Sequence, residues 1–173
     1  RTWGSEKGRG SLIGAILADK TPAPYNPKGY MERLITPTRS LKGRMRVPGD
    51  KSVTHRGLMF GTLAQGQSTL YYPLKAGDTL STAAVMRQLG GEIREQGEHF
   101  HIKGIGLKLE EPSDILDCGN AGTLIRLVAG LLAGQNMFTV LTGDASLKRR
   151  PMGRVTNPLR QMGARIEGRE GGK

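Results

Sequence analysis

HRGLMFGTLAQGQSTLYYPLKAGDTLSTAAVMRQLGGEIRE, residues 55–95, and IRLVAGLLAGQNMFTVLTGDASLKRRPMGRVTNPLRQMGARIEG, residues 125–168, are one pattern written twice. Each copy opens with an arginine in what reads as a first helical turn. A small-residue helix follows, ends at Ala-Gln-Gly or Ala-Gly, and leads through a strand to Gly-Asp. A second helix then ends in Arg-Gln-(Leu/Met)-Gly before another strand. On this register Arg56 maps to Arg126, Asp78 to Asp144 and Arg87 to Arg160. The offset differs between pairs, so loop lengths change while the units match, as in a repeated supersecondary unit.

Working outward, residues 54–65 and 122–133 read as helices ended by glycine, a common helix terminus. The β-rich runs at 68–72 and 138–141 read as strands. Residues 79–89 form a second helix, with Leu80, Ala83, Ala84 and Met86 giving a partial apolar face. Its counterpart covers 152–162, which Pro158 must kink or start afresh. Strands at 92–94 and 100–103 flank a turn at Gly97. The expected fold is therefore α/β, built from two βαβαββ-like units that take up the chain from Leu41 onward.

With 173 residues the chain suffices for one domain burying roughly 70% of its unfolded surface. Aromatics are only 5%, so Leu, Val, Ile, Ala and Met must build the core, which suits thin α/β layers. Lys and Arg number 26 against 15 Asp and Glu, a net +11 that attracts anions. Nucleic acid is not the expected partner. There is no basic run of five, no basic–aromatic alternation, and the cations fall singly at loop–helix junctions, as for a small phosphorylated ligand. Cys118 is the one cysteine, so no internal disulfide can form, and it reads as a small buried hydrophobe. The best apolar stretch, 124–133, is too short to span a bilayer and carries Arg126. Residues 1–30 lack a sustained period and hold three prolines between positions 22 and 27. They read as a tag, linker or translated upstream segment, with residues 31–173 as the functional region; Glu6 and Asp19 argue against a transit peptide.

Three junctions carry the chemistry. In PGDKSVTHR, residues 48–56, Gly49 and Asp50 make a turn, Ser52 or Thr54 can cap the helix, and Lys51 and Arg56 bring two cations to its start. Cations there oppose the helix dipole by about 0.3–1 kcal/mol each, which a bound anion would offset. In DCGNAGTLIR, residues 117–126, Asn120 is a candidate N-cap, while Gly119, Ala121 and Gly122 leave backbone amides open to a carboxylate or phosphate. Thr123 adds a hydroxyl, and Arg126 lies one turn inside. A side chain at 122 would crowd whatever lies over that loop. In TGDASLKRRPMGR, residues 142–154, Lys148, Arg149 and Arg150 precede Pro151, a helix-opening proline that lets one of them fork an anion. Taken singly, each junction reads equally well or better as a capped helix with solvated charges; three together favour an anion site. His99 and His101 read as surface strand residues and His55 as structural, and no metal spacing or nucleophile–base pair is present.

These three segments resemble EPSP synthase. Its first loop, Pro-Gly-Asp-Lys-Ser-Ile-Ser-His-Arg, is matched at 48–56 with Val53 and Thr54 as changes. Its Gly-Asn-Ala-Gly-Thr followed by Arg is matched at 119–123 and Arg126. Its Thr-Gly-Asp, Arg-Pro-Met, Arg, Pro-Leu-Arg and Met-Gly series is matched through Gly163. Leu127, where some members have proline, is closer to the bacterial class that varies there. The resemblance covers about residues 38–170 and implies part of one domain of an inside-out α/β barrel of βαβαββ units.

The implied reaction moves the enolpyruvyl group of phosphoenolpyruvate to the 5-hydroxyl of shikimate 3-phosphate, in aromatic amino acid biosynthesis. It proceeds by addition then elimination, without metal or organic cofactor, in the cytoplasm. By motif position the resemblance places Lys51 between the two substrates as the catalytic cation. Ser52 and Arg56 hold the shikimate carboxylate side, Asn120 and Gly122 line the phosphoenolpyruvate pocket, Thr123 supports the loop, and Arg150 binds phosphoenolpyruvate. Glycine at 122 looks like the form open to the inhibitor glyphosate. The chain lacks the third unit, the later phosphate segment and the second domain of that family. No useful turnover is therefore expected of it alone, and the uncovered apolar layer is expected to meet a complementary C-terminal chain or a second copy. The rival readings are a UDP-N-acetylglucosamine enolpyruvyl transferase, whose first loop has Lys-Asn where this chain has Lys51-Ser52, and a non-catalytic fragment binding anions or nucleic acid.

Overall fold

In the computed structural model, which describes Ser40 and residues 42–169, Asp50 opens the first helix. The chain divides after Arg46. Of the part before that division, the described residues carry no helix or strand, and the expectation for residues 1–30 lies outside the described residues. Everything below concerns residues from Val47 onward.

Asp50 sits in extended conformation, and its Oδ1 accepts the Val53 N–H at 2.7 Å, so helix α1 spans Lys51–Leu63. This corrects the sequence expectation of a cap at Ser52 or Thr54. Asp50 lies at the turn itself, and Thr54 has another task. Its Oγ1 donates to the Asp50 carbonyl at 2.7 Å and accepts the Leu74 N–H at 3.0 Å, tying the helix start to the loop after the first strand. Strand β1, Gln65–Tyr71, leaves α1 directly, and helix α2, Gly77–Gln88, follows. Strands β2, Glu92–Gln96, and β3, His99–Ile105, form a hairpin. Gly97 takes φ +55° at the first central position of its two-residue loop, as a primed turn requires. The sheet order is β1–β3–β2, all antiparallel, with Leu70 opposite Phe100 and Ile93 opposite Ile102.

Alternation along β3 sends Phe100 and Ile102 inward, where both are buried, while His99 and His101 take the other face. Those histidines are half-buried by cross-strand neighbours, His99 edge-on to Tyr71 and His101 within 3.2 Å of the Thr69 hydroxyl. The α1 and α2 helices cover the inner face through Leu58 and Met86, with Leu89 just past the end of α2.

The second unit begins with β4, Leu116–Asp117, crosses through α3, Gly122–Leu132, and returns as β5, Leu141–Thr142, parallel to β4. A 3-10 turn, Leu147–Arg149, precedes α4, Gly153–Gln161. Of the strand expected at 138–141 only Leu141 belongs to β5, and Phe138 is 76% exposed. Pro151 does not open α4, which starts two residues later after Met152. Pro158 lies inside α4, and one helix runs through it with no fresh start. Leu116, Leu124, Val128 and Leu147 join the first unit in one continuous core.

The repeat is visible in matching local bonds. Arg87 Nε donates to Ile93 O at 2.8 Å, and Arg160 Nε to Ile166 O at 2.9 Å, each six residues on. The glycines that end these helices, Gly90 and Gly163, sit at φ +96° and +98°. Arg56 Nη1 reaches the Ser52 carbonyl and Arg126 Nη1 the Gly122 carbonyl, each four residues back. Asp78 and Asp144 diverge: the first meets a lysine, the second caps the Leu147 N–H. The α/β class is thus as the sequence pattern indicated, but the second unit departs from the expected βαβαββ pattern: no strand forms at residues 164–168 after α4.

Candidate active-site cleft

Gly49 sets the position of Lys51. A Cβ at Gly49 would lie 2.4 Å from the Tyr72 carbonyl oxygen, so the turn packs backbone on backbone and places Lys51 as the first residue of α1. Its ammonium pairs with the Asp78 carboxylate in the first turn of α2.

Where β4 ends, Asp117 Oδ1 accepts the Gly119 N–H at 2.8 Å, and Gly119 turns with φ +55°. Asn120 does not cap α3, contrary to the sequence expectation. Ala121 holds the capping position with no side-chain bond, because the Asn120 Oδ1 is engaged by Arg150 Nη2 thirty residues away. The start of α3 thus keeps the positive end of its dipole uncapped by any side chain. Where β5 ends, Gly143 packs on the first loop, since its Cβ would meet Gly119 O at 2.5 Å, and the Asp144 N–H donates to that same carbonyl at 2.8 Å. This clamp carries Arg150 over the start of α3.

Between these loops lies a cleft of about 700 Å³. Of the residues expected from sequence, Lys51, Asn120, Gly122, Thr123 and Arg150 line it together. Ser52 and Arg56 do not; they are exposed, bonded to each other at 3.1 Å through Arg56 Nη1 and the Ser52 carbonyl. Asp78, Arg126, Leu127 and Arg154 complete the wall. Arg126 stood in the glycine-rich segment and Asp78 in the repeat, so both carried a signal. Arg154 closed the third junction segment and Leu127 followed the second, but neither was given a place in the site.

Four cations therefore face one carboxylate in the lining. Arg126 Nη1 donates to Gly122 O at 2.8 Å and Nη2 to Pro151 O at 3.3 Å, while its Nε is buried without a partner. Burial first, then the neighbouring Arg154 and Arg150, push its pKa below the usual guanidinium value. Like charges gathered in this way gain from an anion among them. Gly122 lies beneath: its Cβ would stand 2.6 Å from Arg150 Nη1 and 2.8 Å from Arg126 Nη1. Cys118, next to this loop, is buried, and burial with the adjacent Asp117 pushes its thiol up to about 12. Nucleophilic thiolate chemistry is therefore out of its reach at neutral pH. Among the described residues no three His, Cys, Asp or Glu side chains gather to hold a metal ion. The arrangement suits capture of a phosphate or carboxylate by forked guanidiniums beside a helix N-terminus.

Residues 35–173 match the family model described as EPSP synthase (3-phosphoshikimate 1-carboxyvinyltransferase). A 3-phosphoshikimate 1-carboxyvinyltransferase of Thermus thermophilus is 66% identical over 140 residues, covering 80% of this chain and 33% of that protein. The protein of the same name from Citrifermentans bemidjiense is 52% identical over 140 residues, with the same coverage. A solved EPSP synthase from Acinetobacter baumannii superposes with a TM-score of 0.73 at 42% identity, covering 76% of this chain and 30% of that one. The chain spans about a third of the length of the curated relatives it matches.

Proposed function

The chain belongs to the EPSP synthase family, and from that premise we propose that its cleft is one wall of an enolpyruvyl-transfer site. The substrates in this proposal are phosphoenolpyruvate and shikimate 3-phosphate. The 5-hydroxyl of shikimate 3-phosphate gives up its proton as its oxygen adds to C2 of phosphoenolpyruvate, and C3 gains a proton, leaving a tetrahedral C2 that carries both the ether oxygen and the phosphate. Loss of phosphate and of a C3 proton then restores the vinyl group on the new ether. The observation that carries the reading is the convergence of Arg126, Arg150 and Lys51 on an uncapped helix start whose glycine leaves room for them.

Within this proposal Arg150, Asn120, Gly122 and Thr123 hold the phosphoenolpyruvate end, with Arg126 and Arg154 adding charge. Lys51 lies between the two substrates, and Ser52 with Arg56 serves the shikimate side from the rim. Asp78 is the one acid of this wall and is held by Lys51, so the remaining proton-transfer groups belong to parts of the enzyme beyond these units. Residues 31–173 act as the N-terminal region, in the cytoplasm; no described helix is long and apolar enough to cross a membrane. Val53 and Phe60 on α1 are 68% and 66% exposed, apolar surface for a complementary C-terminal chain or a second copy to cover.

Calorimetric titration of the chain with phosphoenolpyruvate and shikimate 3-phosphate tests the reading. Weak binding of phosphoenolpyruvate that Arg150→Ala abolishes is expected. Salt-dependent retention on DNA without response to either substrate would replace it with a nucleic-acid role.

A further inference from the structure

Lys51 and His55 lie four residues apart on α1, and Asp78 and Thr82 four apart on α2, so each pair stacks on one face of its helix. The two faces meet as a ladder with two rungs. The upper rung, at the cleft, is the ion pair of Lys51 with Asp78. The lower rung, one turn further in, is the 2.6 Å contact of His55 Nδ1 with Thr82 Oγ1, and both residues are fully buried.

Thr82 has one hydroxyl proton and two acceptors in reach, His55 Nδ1 at 2.6 Å and the Asp78 carbonyl at 3.2 Å. Whichever partner donates across the rung, His55 Nε2 is buried with no partner. An orphaned buried ring nitrogen is unfavourable, and an aliphatic side chain would avoid it. The second unit does avoid it. With Arg56 matched to Arg126, His55 matches Ile125. Packing alone does not call for an imidazole at this place in the unit; what His55 adds is the bond to Thr82.

We propose that His55 and Thr82 are positioning residues for Lys51. Their buried rung fixes α1 against α2 in the register that sets the Lys51 ammonium beside Asp78 at the cleft. The Lys51 side chain retains 49% exposure, so its own packing does little to hold it. A long flexible lysine serves an anion well only when its backbone origin and its resting contact are fixed. The inference rests on the reading of the cleft as an anion site.

The test follows phosphoenolpyruvate binding to the 173-residue chain by amide NMR shifts in the wild type and in Arg150→Ala, Lys51→Ala, Thr82→Val, His55→Leu and His55→Asn. Thr82→Val and His55→Leu are each expected to weaken binding about tenfold, as Lys51→Ala does, the scale of one charge-assisted bond. His55→Leu should melt no lower than the wild type, since it removes the orphaned Nε2. His55→Asn, whose amide nitrogen can stand where Nδ1 stands, should recover most of the affinity. In the Lys51→Ala background Thr82→Val should add no further loss. Binding that Arg150→Ala abolishes, yet Thr82→Val and His55→Leu leave within twofold, would overturn the positioning role while sparing the cleft reading. Losses that add in the Lys51→Ala background would overturn it too. A folded wild type that binds no phosphoenolpyruvate, or binds it regardless of Arg150, removes the cleft reading and this inference with it.

Discussion

Gly122 is the residue at which structure and function separate most cleanly. An alanine there is compatible with the backbone, since Gly122 is the first residue of α3 and carries no positive φ. Its Cβ would nonetheless sit within 3 Å of two guanidinium nitrogens, the mobile ends of Arg126 and Arg150. Gly122→Ala is therefore expected to leave the melting temperature unchanged while weakening phosphoenolpyruvate and glyphosate binding; calorimetry on both ligands checks this. His55 supplies a second residue-scale prediction. Burial, partly opposed by Asp78 and reinforced by Lys51 and Arg56, lowers its pKa below 6.5. The unfolded chain then takes up a proton near pH 6.5 that the folded chain still refuses. Stability is full above that pH and falls as pH drops through it toward the lowered folded value. Melting temperatures from pH 7.5 to 5.5 should show this decline, and His55→Asn should flatten it. Lys51, Asn120, Gly122, Thr123 and Arg150, which the resemblance singled out, line one cleft; from the junctions alone they read equally well as capped helices with solvated charge. Arg154 closes the third junction segment, but only the placement of α4 brings it to the cleft.

Among the elements, the β2–β3 hairpin with α1 and α2 holds most of the first unit's core. Phe100 is the one phenylalanine in that core and is fully buried against these helices. Phe100→Ala should destabilise the chain by about 3–5 kcal/mol, read as a lower urea midpoint. Helix identities followed from periodicity and glycine stops; their ends did not, and two of the expected strands, at 138–141 and after α4, do not form as read. The cap of α1 lies at Asp50, through a local bond to the Val53 N–H, and Thr54 inside the helix serves Leu74 instead. Asn120 is engaged by Arg150 thirty residues distant, a partner that no local window contains. The strand expected at 138–141 was overcalled because exposed Phe138 and Val140 share the composition of a buried strand.

For the whole molecule, net charge and the third of its relatives' length that the chain spans set the expectations. With a net +11, capture of phosphoenolpyruvate should weaken as salt rises, since the Debye length falls from about 30 Å at 0.01 M to about 8 Å at 0.15 M. Purified alone, the chain is expected to show no turnover with both substrates present; a continuous phosphate-release assay decides this. Sequence by itself determined the duplicated α/β unit, the three glycine-rich junctions and the stock of cations, because hydrophobic period, turn residues and helix ends are written locally. Only the tertiary structure decided that Arg154 joins the cleft while Arg56 stays outside it, that Asp78 claims Lys51, and that His55 sits buried against Thr82. Those outcomes depend on which faces of α1, α2 and α3 turn toward one another. That choice is made by burying Leu58, Met86, Phe100 and Leu124 in one core, through contacts between residues far apart in the chain.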